Sequence, residues 1–257
     1  MKKLYQKSEL YFSLVWIGLY VVVMNVALRF CGGFDDLAGK TVQQMLVPVV
    51  CVMVLAAAST VWILRSGLSE KYGFCAFKGS SKQFLFFAPL IVISCVNLIN
   101  GSGLNAPLTV SLLMAVHLAA AGYVEEIIFR GFLFRAMEKD NLRAAIIVSA
   151  VTFGAGHIVN LGNTADTLGV LLQVLYAIAI GFMYTLVVYK GGSLQPCIAS
   201  HMFVNFTSTF AREQGPFSNL VGAVFGQASY ELVSVLSSAL IIIVSGGYAL
   251  WLWKKAS

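Results

Sequence analysis

Residues 122–137 read GYVEEIIFRGFLFRAM, an apolar run that carries Glu125, Glu126 and Arg130 where a membrane span is expected. An unpaired charge at mid-bilayer costs roughly 2.5–3.5 kcal/mol on insertion scales. A helix holding three such residues makes a poor lipid-facing helix, so this segment has to face protein or a wet cavity. Helical spacing puts Glu126 and Arg130 at i and i+4, close enough to pair. Glu125 lies about 100° further round and has no partner on its own helix. Two readings are open at this point. One is a structural ion pair between packed helices, which fold specificity alone can justify. The other is a reactive carboxylate, Glu125, standing beside an internal Glu126–Arg130 clamp.

The rest of the chain agrees with a membrane setting. Of its 257 residues, 59% are hydrophobic and only 11% charged, and the mean hydropathy is +0.84. A soluble domain carries about 25% charged residues. Span-length apolar runs recur along the whole chain, with the period of helices and not of barrel strands. We expect an all-α polytopic bundle forming a single integral membrane domain over 1–257. The net charge of +6 is accounted for by Lys and Arg gathered in the loops of one side, so nucleic acid is not expected as a partner. Five cysteines (Cys31, Cys51, Cys75, Cys95, Cys197) without a CxxC pair predict neither a disulfide framework nor a cysteine metal site.

Eight spans are expected, near 10–28, 42–64, 84–98, 107–137, 144–159, 168–189, 194–210 and 232–253. The first resembles a signal peptide, but its apolar run is too long and no A-x-A site follows, so it is expected to be retained. The 107–137 span exceeds what a bilayer needs, which predicts tilt or protrusion. With the N-terminus placed in the cytoplasm, every Lys/Arg-rich loop falls inside and every neutral or acidic loop outside, both termini being cytoplasmic. The stretch 212–231 is polar and Gly-containing and is expected at the surface or in water.

Two more polar clusters lie within spans. Phe153 and His157 stand at i and i+4, as do His201 and Asn205, so each pair projects from one helix face. Measured from the cytoplasmic end at about 1.5 Å per residue, Glu125 is roughly 15–18 Å deep, His157 roughly 20 Å and His201 roughly 10–12 Å. Glu125, His157, His201 and Asn205 can therefore share a chamber in the cytoplasmic half or middle of the membrane. Buried polar groups are costly, and such a set calls for a purpose. His117, Asn97, Asn160 and Gln173 are read as single helix–helix or backbone hydrogen bonders. The set suits peptide hydrolysis: Glu125 and His157 to hold and deprotonate a water, His201 and Asn205 to donate to the oxyanion. Gly154 and Gly156 are expected to let helix backbones approach. Ser149 and Ser200 lack a Ser–His–Asp setting.

E-E-x-x-x-R at 125–130, F-x-x-x-H at 153–157 and G-S-L-x-P-x-x-x-H-x-x-x-N at 192–205 together resemble the three motifs of the CAAX-protease and bacteriocin-processing (CPBP) family of intramembrane proteases. The likeness covers about 107–210. It implies an eight-helix fold around a conical membrane-embedded cavity. It also implies catalysis by Glu125, His157, His201 and Asn205, with Glu126, Arg130 and Phe153 in support. It implies no cofactor; a zinc alternative would use Glu125, His157 and His201. The expected partners are the lipid bilayer and a membrane-associated peptide or protein substrate, in a bacterial cell membrane. Two competing functions are a non-catalytic immunity or regulatory partner and a proton-coupled transporter. Against the transporter stands the lack of internal repeats and paired broken helices.

Overall fold

The computed structural model describes residues 1–33 and 35–255. Among them there is no strand, only one isolated bridge between Ser102 and Ala211. The helices are α1 (Lys2–Lys7), α2 (Glu9–Phe30), α3 (Val42–Arg65), α4 (Ala88–Ser94), α5 (Leu108–Met137), α6 (Leu142–Gly156), α7 (Thr167–Gly191), α8 (Gln195–Ser208), α9 (Pro216–Phe225) and α10 (Tyr230–Lys254). Most of the long helices begin where a short polar side chain takes up a free backbone N–H. Ser8, Thr41, Asn141, Asp166 and Ser229 all cap in this way, which satisfies donors that lipid cannot. The α7 helix ends at Gly192, whose φ of +67° costs glycine nothing.

Six helices, α2, α3, α5, α6 (with the 3-10 turn that continues it), α7 and α10, are long and apolar enough to cross a membrane. Two expected spans are shorter. The 84–98 segment breaks into 3-10 turns around the seven-residue α4. Leu85, Phe86 and Phe87 all have positive φ, a region no α-helix can propagate through. An aromatic cluster of Phe77, Phe84 and Phe87 fixes that turn, with ring centroids 4.7–5.8 Å apart. The 194–210 segment becomes the 14-residue α8, about 21 Å long and short of a ~30 Å hydrocarbon core. The 107–137 expectation holds: α5 runs unbroken over Leu108–Met137. Its stretch Ile127–Phe134, directly after the glutamates, is wound as a π-helix. Wide turns of this kind concentrate at functional sites. Within it the Phe129 carbonyl accepts the Ser149 hydroxyl at 2.9 Å.

The loops gather at two ends. At the end that carries both chain termini, Lys71 pairs with Glu9 and Arg135 with Glu138. There Lys78 and Leu194 donate backbone N–H bonds to Gly191 and Gly73. Beneath them Phe12, Trp16, Trp62, Tyr72 and Phe132 interlock edge to face. At the opposite end Asp35 accepts from Thr164 and the Ala165 N–H. Asn100 bonds Glu213 and Ser218, and Tyr230 donates to Asp166 at 2.5 Å. The helix α9 lies there, its Leu220, Val224 and Phe225 exposed.

Helices α6 and α7 pack through glycine. A Cβ at Gly154 would overlap the Ile178 and Val174 backbone, and one at Gly181 the Ala150 backbone. Gly154 thus permits the close approach expected of it. Gly156 does not, since nothing stands within 4 Å of its Cβ position: α6 ends there and the chain turns away from its neighbour.

Candidate active site

Glu126 and Arg130 are both fully buried, and Arg130 Nη1 donates to Glu126 Oε1 at 2.8 Å. The i, i+4 clamp legible in the sequence therefore exists. The guanidinium also lies 4.1 Å from the centroid of the Phe153 ring, a cation–π contact worth most where water is excluded. A link the sequence did not announce ties the clamp to α8. His201 Nδ1 stands 2.8 Å from the same Glu126 oxygen. A carboxylate only accepts, so Nδ1 carries the proton.

That bond aims the other ring nitrogen. His201 Nε2 lies 3.4 Å from Glu125 Oε2, so a proton between imidazole and carboxylate is what makes this contact attractive. Glu125 keeps 14% of its side chain exposed, against 0% for Glu126. Its other oxygen accepts the Tyr20 hydroxyl at 2.5 Å. Tyr20 comes from α2, 105 residues away in sequence. A lone Tyr in an apolar helix gave no signal.

His157 is the residue at which α6 passes into the 3-10 helix His157–Gly162. Its Nδ1 meets the Phe153 carbonyl at 3.0 Å and must donate, since a carbonyl has no proton. Neutral His157 therefore presents an unprotonated Nε2. The Phe153 ring sets both imidazoles, edge to face, with centroids 5.1 Å from His157 and 5.6 Å from His201. Asn205 gives one amide N–H to the Leu118 carbonyl at 3.0 Å, which leaves its second N–H free to donate. Gly122 is a further residue whose role only the structure reveals. A Cβ there would sit 3.0 Å from His201 Cδ2 and 3.1 Å from Asn205 Nδ2, so its bareness lets α8 close onto α5.

Glu125, His157, His201 and Asn205 all line one cavity of about 690 Å³. Tyr20, His117, Phe129 and Phe153 line it too. The cavity climbs from these residues to Asn100, Asp166, Arg212, Glu213 and Gln214, so its mouth lies among the loops opposite the termini. At that rim the Thr164 hydroxyl, and then the Ala165 N–H, hold the Asp35 carboxyl below its usual pKa. Among the described residues no three His, Cys, Asp or Glu side chains converge in a way that would hold a metal ion. Glu125, His157 and His201 thus share a chamber without forming a ligand cage.

The residues read as single hydrogen bonders divide. Asn97 does bond backbone, donating to the Val204 carbonyl at 2.6 Å. Asn160 and Gln173 instead bond each other at 3.0 Å, because the 3-10 turn after His157 brings them side by side. His117 is buried and its Nδ1 meets no partner among the described residues. Ser200 is occupied by Ser94 and Tyr184, each at 2.8 Å, as a packing hydroxyl would be.

Residues 107–207 match the family model described as type II CAAX prenyl endopeptidase Rce1-like. Over that stretch the chain is similar to the CAAX-protease family. No curated protein is similar enough to the chain to be matched. The matched stretch contains Glu125, His157 and His201 with Asn205. Tyr20, by contrast, reaches the site from outside the matched stretch, which is why motif reading could not include it.

Proposed function

We propose that the chain is an intramembrane endopeptidase that hydrolyses a peptide bond of a membrane-associated peptide or protein. The observation that carries this reading is the meeting of Glu125, His157, His201 and Asn205 on one buried chamber, each with its free atom fixed by a different neighbour.

The chemistry follows from those atoms. A water held by the Glu125 carboxylate and His157 Nε2 loses a proton to Glu125 as its oxygen adds to the scissile carbonyl. The tetrahedral oxyanion accepts from His201 Nε2–H and from the second Asn205 N–H. Donors already fixed in place are worth about 2.7–4 kcal/mol each in such sites. Glu125 returns its proton to the amine nitrogen as the C–N bond breaks, so atoms and charge balance. Glu126 and Arg130 hold His201 and do not touch substrate. The reaction as proposed uses these side chains alone; the alternative is a zinc-dependent course through Glu125, His157 and His201, which the chelator assay below separates from it.

The test is a comparison of membrane peptides from cells with wild-type protein, Glu125→Gln or His157→Ala, followed by assay of purified protein in strong chelator. Loss of the same products in both variants, with activity kept in chelator, is the expected result. Cleavage that survives Glu125→Gln in pure protein would overturn the assignment. A Glu125→Ala chain that restores the cellular phenotype in full would assign the cavity to binding instead.

A further inference from the structure

We infer that substrate enters the chamber from the non-cytoplasmic face, as an extended peptide. This rests on the peptidase reading above for what happens at the bottom of the chamber, but not for the direction of entry.

Two independent observations combine. The first is the distribution of charge between the two ends. The end holding both termini carries thirteen Lys and Arg against four Asp and Glu, whereas the opposite end carries three against five. Short loops rich in Lys and Arg stay in the cytoplasm, so the end with the termini is the cytoplasmic one. The second is the course of the cavity. Its rim is formed by Asn100, Asp166, Arg212 and Gln214, all at the opposite end. None of the basic-end loops, 66–80, 135–143 or 190–194, contributes to its wall. There Trp62, Tyr72 and Phe132 pack against one another and close the floor. The depth estimate from sequence, which set the chamber in the cytoplasmic half or middle of the membrane, counted residues along helices and does not bear on which end is closed.

The wall chemistry indicates the occupant. The rim carries both signs of charge, through Arg212, Asp166 and Glu213, and so favours neither anion nor cation. Between rim and bottom the wall is mixed: Ile93, Ile180 and Ile241 stand with Asn97, Gln173, Ser237 and Ser238. An extended peptide, which offers apolar side chains together with backbone donors and acceptors, matches such a wall.

The experiment uses full-length chain in intact cells, with the five native cysteines replaced by Ala and one new cysteine, Gln214→Cys or Lys139→Cys. A membrane-impermeant maleimide should label Gln214→Cys on intact cells and Lys139→Cys only after permeabilisation. The reverse pattern overturns the inference. Where the cysteine-free background does not accumulate, an epitope inserted after Gln214 or after Lys139, read by antibody on intact cells, reports the same sidedness. A bulky maleimide adduct at Gln214→Cys should then lower cleavage at least tenfold relative to the unlabelled variant, and undiminished cleavage would also overturn it. Labelling does not require activity, so failure of the peptidase reading leaves the sidedness result standing.

Discussion

Glu125 and Glu126 are neighbours in the chain and opposites in surroundings. Glu126 is sealed: no solvent reaches it, Arg130 and His201 share one of its oxygens, and its other oxygen has no partner among the described residues. Glu125 is turned a step round the helix into the chamber, braced by Tyr20 and facing His201 Nε2. Adjacent carboxylates on one helix thus fall into an internal brace and a solvent-reachable group. The difference arises from a rotation of about 100° per residue, and not from chemistry. A single imidazole, His201, touches both and joins the two environments.

Experiments can break that contrast. The largest effect should come from Glu125→Gln, which preserves size, keeps an acceptor at only one of the two carboxylate positions and removes the proposed base. Turnover should fall about 10²–10⁴-fold while the thermal unfolding of detergent-purified protein stays near wild type. A large loss of stability would mean that Glu125 is as structural as its neighbour. Glu126→Ala should do the reverse, leaving Arg130 buried without its charge partner. Breaking a buried pair costs about 3–5 kcal/mol, to be read as a lowered unfolding midpoint. Activity should then fall in proportion to folded protein and to the disorder of His201.

A milder perturbation sharpens the comparison at the shared imidazole. Gly122→Ala inserts a methyl 3.0 Å from His201 Cδ2, tighter than ordinary contact. Overpacking costs about 1–3 kcal/mol, and turnover should fall more than stability because His201 and Asn205 move together. A variant with wild-type turnover would show that α8 yields without consequence. The smallest effect belongs to Tyr20→Phe, which deletes one hydrogen bond to a carboxylate. At about 1.5 kcal/mol for a bond to a charged group, turnover should drop roughly tenfold. Unchanged turnover would reduce Tyr20 to packing.

How much of this was legible beforehand depends on the range of the interaction. The all-helical membrane architecture and the long α5 follow from hydropathy and length, and the Glu126–Arg130 clamp from helical spacing; all are local. The bond of His157 to Phe153 is local too, at i and i+4. What escaped was tertiary. Tyr20 meets Glu125 across 105 residues and His201 meets Glu126 across 75, and no period in the sequence encodes such a pairing. The collapse of 84–98 into turns was hidden because its apolar composition suits a span as well as an aromatic-stapled corner. Gly156, in turn, resembled Gly154 on paper and differs only in where its helix ends.

The Tyr20–Glu125 bond has a last consequence, for anyone who would transplant this enzyme core. Residues 107–207 supply the four polar groups, yet α2 supplies the panel of wall that faces Glu125. Excised, the matched stretch would be a vessel with one stave missing, open to lipid where it must stay wet and selective. Chimeras with relatives should therefore exchange α2 together with the core, since those two pieces, distant in sequence, form one mechanical unit.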